Sequence, residues 1–318
     1  MKLIMPALII SANVALCDVV ELNICVASPE GTPVENATVT VRTRKSKQAP
    51  LWAPAEKEIH TFRTDSEGRA HGEFICWSAR FNCSVMADGY YAVSLPEQVL
   101  EAESEDSFSK RLIEKSRELN VVLWPKLNPL PLYSYKCALR CTVFGTNNWS
   151  SCGYDLQMDD WLPPKGNGHV ADFFVENDVS MRGDLINRTG TLTFTDGAGA
   201  YKIVNIHDSP NWVVYSANTN ATFESAFSVH SKNIYHGKVL EDELLLAENE
   251  CLVLRTRVKK DAEGRIISCH YSKIYGPMEL TRKFEFKQSV FNPRSNDSNL
   301  ELDVSKNLNH KAVGAFRP

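Results

Sequence analysis

The sequence predicts an all-β protein built as two successive β-sandwich domains, and three observations carry that expectation. Apolar residues recur at period two rather than at a helical period, turn residues interrupt them at short intervals, and no amphipathic helix of normal length appears. A chain of 318 residues accommodates two domains at a usual size of about 150 residues each. With 43% apolar and 23% charged residues, the composition is that of a globular protein and not of a wholly disordered chain. The balance of 35 basic against 39 acidic residues leaves a net charge of −4, so no basic field points to nucleic acid as a partner.

Residues 1–17 read as a signal peptide. Lys2 supplies a positive start, Leu3 to Ala12 is an apolar stretch of secretory length, and Ala15 and Cys17 place small residues at −3 and −1 of a cleavage after Cys17. The expected location is therefore secreted, periplasmic or at the cell envelope. Lipid anchoring through Cys17 is the lesser alternative, because Leu16 before it is not small. No later stretch approaches the roughly 20 apolar residues of a membrane helix, so no transmembrane span is expected after cleavage.

Residues 18–125 carry the first sandwich. Leu22, Ile24 and Val26 alternate with polar neighbours, as do Val39 and Val41, which is the pattern of half-buried strands. Turns at Glu30-Gly31-Thr32-Pro33, Asp65-Ser66-Glu67-Gly68 and Asp88-Gly89 separate them. Glu97 to Arg117 is an irregular, Glu- and Ser-rich surface excursion with room for a short helix, before a strand over Glu118 to Trp124. Residues 126–134 follow as a proline-rich linker, since Pro125, Pro129 and Pro131 fix φ and extend the residues before them.

Residues 135–318 form the second, larger all-β domain, expected as two packed sheets of jelly-roll type. Tyr135 to Phe144, Thr191 to Thr195, Lys202 to Ile206 and Trp212 to Tyr215 are short β-like runs. Cys251 to Val258 and Arg265 to Ile274 flank a hairpin turn at Lys259 to Gly264. The tail from about Asn309 lacks any pattern and is expected to fray.

Gly31-Thr32-Pro33-Val34-Glu35-Asn36-Ala37-Thr38-Val39-Thr40-Val41, Thr64-Asp65-Ser66-Glu67-Gly68-Arg69-Ala70 and Ala87-Asp88-Gly89-Tyr90 together resemble the carboxypeptidase regulatory-like family. That resemblance covers about residues 20 to 125 and implies a transthyretin-like, Ig-like sandwich of seven strands. It implies little about activity, because such modules are usually non-catalytic appendages. Asn128-Pro129-Leu130-Pro131-Leu132-Tyr133, Gly153-Tyr154-Asp155-Leu156, Asp160-Trp161-Leu162-Pro163-Pro164-Lys165-Gly166-Asn167-Gly168 and Asn292-Pro293 resemble a β domain that follows this module in some exported bacterial proteins. No function attaches to that second pattern.

Cleavage after Cys17 leaves eight cysteines, an even number that permits disulfides in an exported chain. The turn Gly145-Thr146-Asn147-Asn148 lies midway between Cys141 and Cys152, and Trp77 to Asn82 lies between Cys76 and Cys83. A symmetric hairpin would set each pair about 4.5–5.5 Å apart, within bridging range. Cys251 and Cys269 are offset, with Arg255 expected opposite Cys269. Free buried thiols are the competing expectation.

The motifs of common catalytic centres are missing. The sequence holds no His-Glu-x-x-His, no His-x-x-Glu zinc pair, no Gly-x-Ser-x-Gly and no phosphate-binding glycine loop. No metal and no cofactor are expected. His207-Asp208-Ser209 juxtaposes three triad residue types, but a triad is assembled in space and not along a loop. Asp155, Asp159, Asp160 and Asp172 could supply a glycosidase carboxylate pair, or could be turn residues.

Pro163, Pro164, Gly166 and Gly168 exclude regular structure from the segment Asp159 to Asp172, leaving a loop on a sandwich, where recognition is often placed. Asp159, Asp160, Trp161 and His169 are its binding candidates; a Trp161 tucked under the loop is the competing expectation. The expected function is therefore an exported, non-enzymatic β protein that binds an envelope or extracellular protein or glycan. The alternative is a carbohydrate-active enzyme or carbohydrate-binding module with its site in the second domain.

Overall fold

The computed structural model describes residues 18–44, 57–76, 79–106, 109–112, 114–136, 149–182, 185–204, 214–234 and 239–309. Residues 1–17, Trp52, Trp77, Cys137, Cys141, the 207–209 motif, Trp212 and the tail beyond Asn309 lie outside them. The structure is all-β, with one 3-10 turn at Val304–Lys306 and no α-helix among the described residues. The chain divides into two compact units, Met1–Pro125 and a second that begins at Lys126.

The first unit contains β1 (Asp18–Ala27), β2 (Thr38–Arg44), β3 (Lys57–Arg63), β4 (Arg69–Cys76), β5 (Arg80–Met86), β6 (Val93–Ser94), β7 (Gln98–Val99), β8 (Ala102–Asp106), β9 (Ser109–Leu112) and β10 (Ser116–Val122). One sheet runs β10-β1-β4, with β10 parallel to β1, and another runs β3-β2-β5-β6 with β7 added to β5. Period-two alternation sends Val20, Leu22, Ile24 and Val26 inward to meet Val39, Val41, Phe81 and Val85 in one buried cluster. Gly68 has a φ of +72°, and a Cβ there would stand 2.3 Å from the Val26 carbonyl oxygen, so the Asp-x-x-Gly turn closes only with glycine. Among its described residues the excursion before β10 is not helical: β7, β8 and β9 occupy it, and Leu100 and Leu112 are buried.

The hairpin expected between Cys76 and Cys83 does not form. β4 and β5 belong to different sheets and do not pair with each other. Cys83 instead sits opposite Val41 on β2, the Cys76 thiol donates to the Arg80 carbonyl at 3.8 Å, and no bridge joins the two.

The second unit contains β11 (Tyr133–Lys136), β12 (Trp149–Asp155), β13 (Asp160–Trp161), β14 (Phe173–Arg182), β15 (Leu185–Thr193), β16 (Gly199–Ile203), β17 (Ala226–Ile234), β18 (Val239–Asp242), β19 (Cys251–Lys260), β20 (Ile266–Glu279) and β21 (Glu285–Phe291). A six-stranded antiparallel sheet, β13-β12-β14-β15-β17-β18, accompanies a five-stranded one, β11-β21-β20-β19-β16. Most of these neighbours are also neighbours along the chain. Tyr154, Phe173, Leu192, Leu252, Leu254 and Phe286 fill one core drawn from both sheets. The alternate residues of the five-stranded sheet, among them Val253, Tyr271 and Val290, enter a second core with Leu130, Leu132, Val214 and Leu300. Burial on both faces explains the unbroken apolar run Cys251-Leu252-Val253-Leu254 in β19.

Residues 126–134, expected as a linker, are part of this second unit. Leu132 is fully buried, the Leu130 N–H donates to the Glu301 carbonyl at 2.8 Å, and Tyr133 opens β11. Proline kept the segment extended, and its leucines supplied the apolar surface that packed it down. The β19–β20 hairpin turns over Asp261–Arg265, so Arg255 faces Tyr271 and not Cys269, while Cys251 faces Tyr275.

Candidate functional site

The segment after β12 is held by a buried ionic cluster that its own sequence does not announce. Asp155 ends β12 and Asp172 precedes β14, so two hydrogen-bonded strands carry both carboxylates to the base of the same loop. The cation comes from β19, on the other sheet. A bulge between Thr256 and Lys259 puts Arg257 at a φ of +52°, and its guanidinium points inward where regular alternation would differ. Arg257 Nη2 donates to Asp155 Oδ1 at 2.7 Å and to Asp172 Oδ2 at 3.0 Å, Nε donates to Asp172 Oδ1 at 2.9 Å, and Nη1 donates to Gln157 Oε1 at 2.7 Å. The guanidinium carbon lies 4.5 Å from the centre of the Phe291 ring.

The carboxylates also gather backbone N–H groups from the loop. Asp155 Oδ1 accepts from Gln157 and Met158, and its Oδ2 accepts from His169 at 2.8 Å and Val170 at 3.1 Å. Asp172 Oδ2 accepts from Leu156 N–H at 2.8 Å. Burial by itself would raise the Asp155 carboxyl, but those N–H groups and Arg257 outweigh it and hold it below the usual carboxylate range. At Asp172 burial dominates and pushes the carboxyl up, against the opposing pull of Arg257. Arg257 loses hydration as well, yet the two carboxylates more than compensate and keep it charged.

The four sequence-derived candidates all lie on this loop, and three serve its shape. Asp159, at a φ of +57°, accepts from the Tyr154 hydroxyl at 2.8 Å. Asp160 accepts from the N–H groups of Trp161 and Asn167, tying the two limbs together. Trp161 is only 6% exposed and packs edge-on against Tyr154 at 5.1 Å and against Phe284 at 4.9 Å, so its ring offers no platform to a ligand. His169 has an exposed side chain and gives only its backbone N–H to Asp155. Arg257 escaped sequence reading because nothing local marks a bulge that far from the loop. Cys152 is buried, and its proposed partner Cys141 lies outside the described residues.

Elsewhere in this unit a groove of about 540 Å³ has Leu244, Pro277 and Phe286 among its walls, with Glu248, Lys283 and Lys287 at its polar margin. Its charges are largely paired with one another: Lys287 with Glu248 at 3.3 Å, and Lys283 with Glu279 and Glu285. Thr189 Oγ1 and His230 Nδ1 lie 3.1 Å apart across β15 and β17, an exposed cross-strand pair.

No family model matches this sequence, and no curated protein matches it. Similar solved structures include a 3-chlorocatechol 1,2-dioxygenase from Rhodococcus opacus 1CP, at 11% identity and a TM-score of 0.25 over 34% of this chain and 61% of that one. A chlorocatechol 1,2-dioxygenase from Pseudomonas putida gives 12% identity and 0.26 over 34% and 61%. A hydroxyquinol 1,2-dioxygenase from Pseudomonas putida DLL-E4 gives 12% and 0.25 over 34% and 57%. The chain thus spans less than two thirds of each, and superpositions this loose carry no argument about its chemistry.

Proposed function

We propose that this chain is an exported, non-enzymatic binding protein of the cell envelope or extracellular space, and that the clamped loop 157–170 is its recognition element. The observation that carries the reading is the Arg257–Asp155–Asp172 cluster. Burying charges costs several kcal/mol per ion, and apolar side chains of similar volume would hold two sheets together as well or better. A cluster of this kind is understandable where one loop conformation has to be specified. The groups the loop presents outward are Lys165, Asn167, His169 and Val170, with Met158 at its start. Hydrogen-bonding groups beside small apolar ones suit a protein surface or a glycan. A glycosidase drawing its acid and base from Asp155 and Asp172 has less support, because every oxygen of both carboxylates already accepts from Arg257 or a backbone N–H.

The test is co-sedimentation of the chain from Asp18 onward with isolated cell envelopes. Lys165→Ala combined with His169→Ala should abolish sedimentation and leave the unfolding temperature unchanged. Binding by this variant equal to that of the unaltered chain would overturn the assignment of the loop.

A further inference from the structure

The two outer faces of the first unit carry charge of opposite sign, only part of which is paired. On the β3-β2-β5 sheet the outward residues are Lys57, Ile59, Thr61 and Arg63 from β3, Thr38, Thr40 and Arg42 from β2, and Arg80, Asn82, Ser84 and Met86 from β5. No carboxylate projects from these strand positions. Arg80 pairs with Glu97 at 3.2 Å and Arg42 donates to the Ser84 hydroxyl at 3.2 Å, whereas Lys57 and Arg63 have no ion-pair partner among the described residues.

The β10-β1-β4 sheet is the converse. Glu21 on β1 lies directly opposite Glu73 on β4, and Glu118 on β10 lies opposite Asn23, one alternate position along. Like charges directly opposite on a sheet face are destabilising. His71 and Asn23 soften Glu21, through contacts of 3.6 and 3.3 Å, but Glu73 and Glu118 have no cationic partner among the described residues. Arg69, the cation of this face, leans to Glu67 at 3.5 Å. Each face also exposes apolar side chains: Ile59 at 61% and Met86 at 54% on the basic one, Val19 at 52% and Val122 at 39% on the acidic one.

From this we infer that the occupant of the basic face is a second copy of the chain, which docks through its acidic face so that copies associate front to back. The contact brings Arg42, Lys57 and Arg63 of one copy against Glu21, Glu73 and Glu118 of the next, relieving both sets of repulsion and covering the four apolar side chains. Because different patches meet, the contact is heterologous and stays open at each end, so it continues into short chains of copies. Three strands about 4.8 Å apart and seven residues at about 3.3 Å rise give a face of roughly 330 Å². That is well under the roughly 800 Å² per partner of a stable interface. The association is therefore weak, concentration-dependent and sensitive to salt, since exposed charges are screened within about 10 Å at 0.1 M.

Sedimentation velocity on the chain from Asp18 onward tests this. In about 20 mM salt the mean mass should rise above that of the monomer with increasing concentration, and about 300 mM salt should restore the monomer. Arg42→Glu with Arg63→Glu makes both faces acidic, and Glu73→Lys with Glu118→Lys makes both basic. Each variant alone should lose association by about tenfold or more, because like charges then meet. An equimolar mixture of the two should regain it, a result that misfolding of either variant would not produce. A chain monomeric at low salt, variants that associate as before, or a mixture that stays monomeric would each overturn the proposal. Retention of a polyuronate by an otherwise monomeric chain would overturn it in favour of an anionic glycan on the basic face.

Discussion

Arg257 meets Asp155 at 2.7 Å across 102 positions of sequence, because a bulge at φ +52° turns an arginine of β19 inward to the end of β12. The contact closes the base of the loop and leaves the guanidinium with a carboxylate or amide oxygen on each of its nitrogens. Removing one partner of such a cluster strands the others.

Arg257→Met should therefore destabilise the protein by roughly 3–5 kcal/mol, since Asp155 and Asp172 would remain buried without a cation. Urea unfolding measures the loss, and Arg257→Lys should recover only part of it because an ammonium cannot donate in a planar fork. A change under about 1 kcal/mol would mean that the loop stands without its clamp.

Trp161→Ala should cost about 3–5 kcal/mol, the range for deleting a large buried aromatic ring. The ring fills space between Tyr154 and Phe284, and the six-stranded sheet contributes β13 through it. Guanidinium unfolding checks the magnitude, and a loss below about 1 kcal/mol would place the ring outside the core.

Gly166→Ala tests the loop without touching a charge. An added Cβ would stand 2.3 Å from Asp160 Oδ1 and 2.4 Å from the Trp161 carbonyl, and the backbone atom cannot swing aside. Faster hydrogen exchange at the Asn167 and Trp161 amides is expected, because both donate to Asp160.

Lys273 on β20 is 3% exposed, and its ammonium donates to the Val214 carbonyl at 2.8 Å. Burial pulls its pKa down to about 8, against the opposing influence of Cys251 and Glu301. Unfolding returns it to about 10.4. Between those values the unfolded chain binds more protons, so this group's cost to the fold is full below pH 8 and fades as pH rises through the window. Lys273→Met should accordingly be more stable than the unaltered chain at pH 7, with the advantage shrinking by up to about 1.4 kcal/mol per pH unit above 8. Comparing the two proteins isolates Lys273 from Cys83, whose thiol burial pushes up to about 11 and which acts in the opposite sense. A difference that does not vary with pH would refute the assignment.

Among the described cysteines only Cys25 is exposed; Cys76, Cys83, Cys152, Cys251 and Cys269 are buried. A maleimide reagent should modify Cys25 in the native protein and reach these five only after unfolding without reductant. Protection of Cys76 and Cys83 in the unfolded, unreduced chain would reveal a bridge between them.

The all-β character was legible in the sequence because alternation is a local property: Leu22, Ile24 and Val26 must share a face whatever strand lies beside them. The irregular course of 162–172 was legible for the same reason, since proline and glycine act through their own φ, whereas the pairing of Asp160 and Trp161 with β12 was not. Partnership was not legible, because it depends on residues distant in sequence. Cys76 and Cys83 have hairpin spacing, yet β4 and β5 joined different sheets. The prolines of 126–134 spoke for an extended linker, but burial of Leu130 and Leu132 decided its place. Trp161 could have faced water or core by composition alone; Tyr154, Phe173 and Phe284 closed around it. Arg257 gained its role only from a bulge and from two carboxylates on the opposite sheet. Local patterns set which faces are apolar, whereas desolvation and packing, summed over distant segments, chose which faces meet.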